Sequence, residues 1–342
     1  MKTITRNVLF LVFGAALVIL STSGIVKQKV SSASDFDIQV PGAIIERNLD
    51  KLVNDHKDAV ERKLFDIFPT ALNTESALPI VEGFNNSKAG LPSALKPMWE
   101  NSLMILGTSS EGAGIGSGFF VRIKAVNNGY FGYVLTNNHV IDGFCNLSTR
   151  DCENLFVLHD IGLNAVTGES FKTGSNVLKV KGAKLIKNNV TPDLALLEVA
   201  LDDAAISFLK VAQVQLDNNY LVGKNAFAIG YPATYRRTSA TQKPIENQNY
   251  IIKRWSEGTV EQVGSTQDFG DLVIHGADIL PGNSGSALYN EMGTVIGVNV
   301  LLFNVRKDFD YEGGGCGNPY MTSRASVAPS MMVPYMDTVN RF

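Results

Sequence analysis

From about residue 97 onward, apolar and polar residues fall into short runs with a period of two, broken by turn residues. Val121 and Ile123 alternate with Arg122 and Lys124, and Asn128-Gly129 supplies a hairpin turn before Tyr130. Further apolar runs stand at 133–135, 194–197 and 272–274. Residues 290–293 read as a turn between Ala287-Leu288-Tyr289 and the run at 294–300. Many short strands separated by turns predict an all-β barrel or sandwich.

Ahead of the strands the period changes. Ile45, Leu49, Leu52, Val53, Val60, Leu64 and Phe68 recur at helical spacing with charged residues between them; Pro41-Gly42 precede the pattern and Pro69 ends it. This predicts an amphipathic helix over about 44–68, with His56 on or near its apolar edge as a packed side chain. Residues 70–96 read as an irregular linker rich in Asn, Ser, Gly and Pro. At the start, Lys2 and Arg6 precede an apolar run at 8–20 and then Ser21-Thr22-Ser23-Gly24, the pattern of a secretory signal cleaved after Gly24. A retained anchor is the competing reading, because Ile25 and Val26 extend the run; the polar and flexible residues between interrupt a span of about 20 apolar residues.

The chain has 342 residues, enough for one large or two ordinary domains, and 45% of them are hydrophobic, enough to fill a sizeable core. Net charge is −3, so there is no basic excess to recruit nucleic acid or anionic lipid. His56, His139, His159 and His275 and the three cysteines show no metal-ligand spacing, and no cofactor or metal is expected. The glycine-rich stretch from Gly112 to Gly118 leads into a strand rather than a helix, which does not suit a dinucleotide loop. In an exported chain Cys145 and Cys152 can pair across a short loop after His139 and leave Cys316 free; three free thiols are the alternative.

The chemistry concentrates in Pro281-Gly282-Asn283-Ser284-Gly285-Ser286, a serine held between glycines and between two apolar runs. A nucleophilic hydroxyl needs such a turn, with backbone N–H groups aimed at the oxyanion formed on attack. Two other segments carry the partners it requires. His139 follows the run Tyr133-Val134-Leu135-Thr136-Asn137-Asn138, and Asp193 heads Leu194-Ala195-Leu196-Leu197. A histidine can take and return the serine's proton, and a carboxylate on its far nitrogen fixes the tautomer. Taken singly, His139 reads as a strand-end residue, Asp193 as a turn residue and the serine block as an ordinary turn. Their order and flanking motifs occur together.

These blocks, with Gly116-Ser117-Gly118-Phe119-Phe120-Val121 and Ala328-Pro329-Ser330-Met331-Met332, resemble a trypsin-fold serine protease, and most of all the protease domain of the bacterial HtrA group, over about residues 99–342. The resemblance implies two six-stranded antiparallel β-barrels with a short C-terminal helix, His139 as base, Asp193 as its orienter and Ser284 as nucleophile. It places the oxyanion hole at the N–H groups of Gly282 and Ser284. The expected organisation is signal 1–24, helical extension and linker 25–98, first barrel 99–212, and second barrel with closing helix 213–342. Chains of that group continue into a PDZ domain, whereas this sequence stops at Phe342, and Ser286 replaces a glycine common there. Asn283 stands where trypsin-like zymogens hold an aspartate, so activity is not expected to depend on one inserted N-terminus.

The resemblance puts Ile279, Leu301 and Leu302 on the walls of the substrate pocket, suited to a small or medium aliphatic side chain. Asp278 lies six residues before Ser284, where trypsin keeps a carboxylate for Lys or Arg; the favoured reading turns it away to accept backbone hydrogen bonds. A long loop at 303–323 is expected beside that pocket. The functional expectation is an exported, secreted or periplasmic serine endopeptidase acting on protein or peptide substrates, with no nucleic-acid partner and no membrane span after signal removal. The alternative is a catalytically silent trypsin-fold binding or adhesion protein.

Overall fold

The computed structural model describes residues 28–29, 37–39 and 83–341, apart from 110–111, 128, 165–169, 219–221, 234–249, 267–269 and 307–320. The signal at 1–24, the amphipathic helix at 44–68 and Cys316 lie outside the described residues. Within the extension expected to be helical, two short strands are described, β1 (Gln28–Lys29) and β2 (Asp37–Gln39).

Six strands form a first closed barrel: β3 (Ser102–Ser109), β4 (Gly112–Val126), β5 (Gly129–Thr136), β6 (Asp151–His159), β9 (Leu178–Asn189) and β10 (Leu194–Leu201), in the order β10-β5-β4-β3-β6-β9. Between β6 and β9 the chain makes a small hairpin, β7 (Ile161–Asn164) with β8 (Ser170–Lys172). The second unit holds β11 (Asn225–Gly230), β13 (Arg254–Thr266), β14 (Gly270–His275), β15 (Ala287–Tyr289), β16 (Val295–Arg306) and β17 (Met321–Val327). The short β12 (Tyr250–Ile251) leaves it to pair with β7. Because β16 pairs with both β15 and β17, these six strands also close into a ring, and β2 adds to the far end of β16. The strand pairs within both rings are antiparallel, as expected for two six-stranded barrels.

Burial on both faces explains why several runs are continuously apolar rather than alternating. On β10, Ala195, Leu197 and Val199 point into the first barrel with Leu103, Phe120 and Val134. Leu194 and Leu196 point outward into a second cluster with Leu135, Trp255, Tyr289 and Val298. That outer cluster includes residues of both barrels and of the helix Pro329–Asn340, through Met332, Tyr335 and Val339. The Tyr335 hydroxyl donates to Leu194 O at 3.1 Å, and Arg122 donates to Val339 O at 2.8 Å, so the closing helix of the second unit is fastened to the first. Among the described residues no helix is long and apolar enough to cross a membrane.

Two expectations change. The described part of the linker is a packed strap: Leu91 and Leu95 are buried, and Asn85 exchanges backbone hydrogen bonds with Trp255 at 2.8 and 2.9 Å. Apolar residues too few to show a period are enough to anchor it. The loop expected at 303–323 is partly strand, since Phe303 pairs with Ser323, Asn304 with Thr322 and Val305 with Met321.

A buried ionic group pins the barrels together. Lys253, just ahead of β13, donates to Asp160 Oδ1 at 2.8 Å and to Trp99 O at 3.0 Å. His159 lies alongside, its Nε2 at 3.1 Å from Glu100 Oε2, and Lys88 reaches the other oxygen of Glu100 at 2.5 Å. Burial raises the Glu100 pKa, but its contacts with His159 and Lys88 outweigh that and hold the carboxyl well below the ordinary range. Replacing Lys253 with Met leaves Asp160 without its cation, while Glu100 keeps Lys88. The unfolding free energy is expected to fall by about 3–5 kcal/mol, measured by urea denaturation; a loss below about 1 kcal/mol would mean the pin is no stronger than a surface pair.

Candidate active site

β5 ends at Thr136, and the chain turns through Asn137 into the single-turn helix Asn138–Ile141, which carries His139. β10 runs antiparallel beside it with Ala195 opposite Thr136, a register that brings the residue before β10 level with that turn. That residue is Asp193, with φ of 62°, a conformation aspartate tolerates better than most side chains. Its carbonyl accepts from Asn137 Nδ2 at 2.9 Å and from the Asn138 N–H at 3.2 Å. Its carboxylate takes the His139 N–H on Oδ1 at 2.9 Å and faces His139 Nδ1 with Oδ2 at 2.6 Å. An ionised carboxylate only accepts, so in this pair Nδ1 carries the proton. Asp142 is a second carboxyl nearby; burial raises its pKa, and the charge of Asp193 adds to the rise.

Ser284 comes from the other barrel, in the turn between β14 and β15. Gly285 has φ of 84°, and a Cβ there would lie 2.2 Å from Ser117 O, 2.3 Å from Thr136 Oγ1 and 3.0 Å from Asn137 N. The serine turn is therefore pressed against the end of β5, next to the histidine turn. Gly116 fits between Val140 and Ser284 O, where a Cβ would come within 2.5 and 3.1 Å of them.

Each peptide of the serine turn is oriented by a hydrogen bond on its carbonyl. Pro281 O accepts from the Ala233 N–H at 2.7 Å, Gly282 O from Ser117 Oγ at 2.6 Å, Asn283 O from the Ser286 N–H at 2.8 Å, and Ser284 O from the Ser117 N–H at 2.7 Å. Gly282 sits at φ of 90°, and a Cβ there would lie 2.5 Å from Tyr231 O. Among the described residues, neither the Gly282 N–H nor the Ser284 N–H donates to a protein acceptor. The peptides of both donors are thus fixed at their oxygen ends while the N–H ends stay available, an arrangement that can receive a negative oxygen.

Behind the turn, inside the second barrel, runs a buried polar chain. Asn299 donates from Nδ2 to Ser286 Oγ at 2.8 Å, accepts from Ser326 Oγ at 2.8 Å, and takes the Gly285 N–H on its carbonyl at 2.8 Å. His275 Nε2 stands 3.0 Å from Ser326 Oγ. The Ser326 proton already points at Asn299, so Nε2 of the neutral His275 is the donor.

The four residues expected to line the pocket lie on two stretches, 278–279 and 301–302. Ile279 is buried with Ala226, Leu288 and Ile296 in the second-barrel core. Leu301 and Leu302 lie on β16 opposite Ala325 and Arg324. Asp278 does not follow the favoured expectation of a backbone-bonded carboxylate: it forms an ion pair with Arg324 of β17, while its carbonyl accepts from Ser256 Oγ at 2.5 Å. A guanidinium within reach is a stronger partner for a half-exposed carboxylate than loop amides. Sequence reading also passed over Ser117, Thr136, Asn299 and His275, whose roles come from contacts between distant segments; only the glycines around Ser117 signalled close packing there. Glu100, His159 and Asp160 converge as metal ligands could, but Lys253 Nζ stands among them as the cation.

Over residues 116–298, just over half its length, the sequence matches the trypsin-like peptidase domain. The chain belongs to that family. Among curated proteins, this trypsin-like peptidase chain is 27% identical over 230 residues to a probable periplasmic serine endoprotease, DegP-like, of Pseudomonas savastanoi pv. phaseolicola, covering 63% of this chain and 36% of that protein. It is 26% identical over 249 residues to the serine protease Do-like HtrA of Bacillus subtilis, covering 72% of this chain and 44% of that one. The chain thus spans less than half the length of these relatives. A crystal structure of a serine endoprotease from Yersinia pestis aligns with 75% of this chain and 68% of its own at 19% identity and a TM-score of 0.44.

Burial, reinforced by the charge of Arg324, pushes the His275 pKa down to about 3. In the unfolded chain histidine titrates near ~6.5. Between these values only the unfolded state binds the proton, so stability falls as pH drops, by about 1.4 kcal/mol per pH unit. His275→Gln is expected to flatten that slope between pH 6.5 and 4 in urea titrations. An unchanged slope would assign the acid sensitivity to other groups.

Proposed function

We propose that this chain is a serine endopeptidase acting by acyl transfer through His139, Asp193 and Ser284. The observation that carries this reading is the His139–Asp193 pair at 2.6 Å, seated against a serine turn whose two free amides face no protein acceptor. Ser284 Oγ attacks a peptide carbonyl and gives its proton to His139 Nε2. Asp193 keeps Nδ1 protonated and stabilises the imidazolium. The oxyanion is received by the N–H groups of Gly282 and Ser284. His139 then protonates the leaving amine, and a water activated by the same nitrogen releases the acyl group. The chemistry requires no cofactor or metal.

The proposed setting is the periplasm or outside of a bacterial cell, after removal of a signal at 1–24, with protein or peptide substrates. The relatives described as periplasmic and the Cys145–Cys152 disulfide both suit an oxidising compartment. Ser284→Ala and His139→Ala are each expected to lower peptide cleavage by about 10³–10⁶-fold with circular dichroism unchanged. Most of the wild-type rate surviving in Ser284→Ala would remove this reading, as would failure of fluorophosphonate to label Ser284.

The proposed pocket is formed by Asp278, Ile279, Leu301 and Leu302, with Arg324 neutralising Asp278. An aspartate already satisfied by a guanidinium does not select a basic substrate side chain, so aliphatic residues are preferred. Arg324→Ala frees the carboxylate and is expected to raise cleavage after Lys or Arg relative to Val by about tenfold or more. A peptide library read by mass spectrometry decides this, and strong cleavage after Lys or Arg by the wild type would contradict it.

A further inference from the structure

We infer that Ser117, on β4 of the first barrel, is the positioning residue that sets the oxyanion loop of the second barrel, acting through its side-chain hydroxyl. The inference rests on the peptidase reading above.

Ser117 is fully buried, and all of its polar groups are engaged at the seam. Its N–H donates to Ser284 O at 2.7 Å and its carbonyl accepts from Thr136 Oγ1 at 2.7 Å. Its hydroxyl accepts from the Tyr231 N–H at 2.9 Å and donates to Gly282 O at 2.6 Å. A hydroxyl has one proton. With Tyr231 occupying an acceptor position on Oγ, that proton has a fixed destination in Gly282 O.

The peptide it holds is the link between the two that bear the anion donors. The Gly282 N–H belongs to the peptide before it and the Ser284 N–H to the peptide after it. On its other side the linking peptide is tied by the Asn283 N–H to Leu280 O at 2.9 Å. Among the described residues, the carbonyls of 281, 283 and 284 are each held by a backbone amide, and that of Gly282 by a side chain. One substitution can therefore release this peptide without deleting an anion donor. Rotation of the link swings both N–H vectors away from convergence. Oxyanion stabilisation depends on that convergence, whereas binding of the ground-state peptide does not. Tyr231 continues the connection to the inter-barrel pin, because its hydroxyl accepts from the Asp160 N–H at 3.2 Å.

The test compares wild type, Ser117→Ala and Ser117→Cys on one peptide substrate and on the matching peptide aldehyde, whose hemiacetal with Ser284 carries the oxyanion. In Ser117→Ala, kcat is expected to fall about 10–100-fold with KM within threefold, and aldehyde affinity to fall by the same factor as kcat/KM. Ser117→Cys, with a weaker donor, should lie between, and also decides the matter if the alanine variant does not fold. Hydrogen exchange of peptides covering 279–290 should rise in both variants. A kcat within twofold of wild type in a folded Ser117→Ala would overturn the inference, and so would a kcat loss with unchanged aldehyde affinity. If Ser117→Ala does not fold, wild-type kcat in Ser117→Cys does the same. Should the wild type show no Ser284-dependent turnover, the peptidase reading fails by itself. Exchange then still tests the grip of Ser117, which unchanged exchange in both variants would refute.

Discussion

Two closed barrels satisfy most of their backbone hydrogen bonds internally, and neither needs the other for that purpose. Their relative position is instead fixed by a seam where apolar area and a few buried polar contacts have to agree at once. The outer faces of β5 and β10 supply the apolar part, with Leu135, Leu194 and Leu196 meeting Trp255, Tyr289 and Val298. Such a surface holds strongly but tolerates sliding, because apolar burial has no direction. Lys253, Ser117 and the closing helix provide the direction. A buried hydrogen bond left unmade is costly, so these contacts select one arrangement among many of similar area.

The site inherits its geometry from that selection. His139 and Asp193 are set within one barrel, by the register of adjacent strands, and their mutual distance is as secure as the sheet itself. Ser284 belongs to a turn of the other barrel, which packs across the seam against the end of β5. On the far side, its turn is backed by the Ser286, Asn299, Ser326 and His275 chain, which joins four separate segments of the second barrel. A turn gripped from both barrels costs buried polar groups on both sides, and in return its amides are held in one orientation.

Much of this was legible in the sequence, for reasons that differ by residue. His139 and Asp193 stand at the borders of apolar runs, so hydropathy alone marks them as strand-end residues, and Ser284 is marked by its glycines. Alternation cannot reveal that β5 and β10 are neighbours, and so the pairing of His139 with Asp193 had to come from motif order. Ser117 stood in the sequence only as the middle of a Gly-Ser-Gly block leading into a strand. The Asp278–Arg324 pair joins residues 46 apart, on elements whose pairing no local pattern encodes. The linker at 70–96 was read as irregular; its described part holds 3-10 turns at Lys88–Gly90 and Ser93–Leu95 and leads into a one-turn helix at Lys96–Trp99. Its anchoring by Leu91 and Leu95 is to a cluster that includes second-barrel residues distant in sequence.

The loop tied by Cys145 and Cys152 does not owe its shape to that bond. Without the sulfurs it is already a hydrogen-bonded turn: the Asn146 N–H donates to Asp151 O at 2.8 Å, the Arg150 N–H to Asn146 O at 2.6 Å, and the Asn146 side chain accepts from Ser148 and Thr149. Cys152 is carried on β6 and buried in the first-barrel core, so strand pairing and packing bring the two thiols together by themselves. Oxidation is therefore not a precondition for the shape of this corner: hydrogen bonds and strand pairing already define it, and the covalent bond adds to an arrangement that does not rest on it.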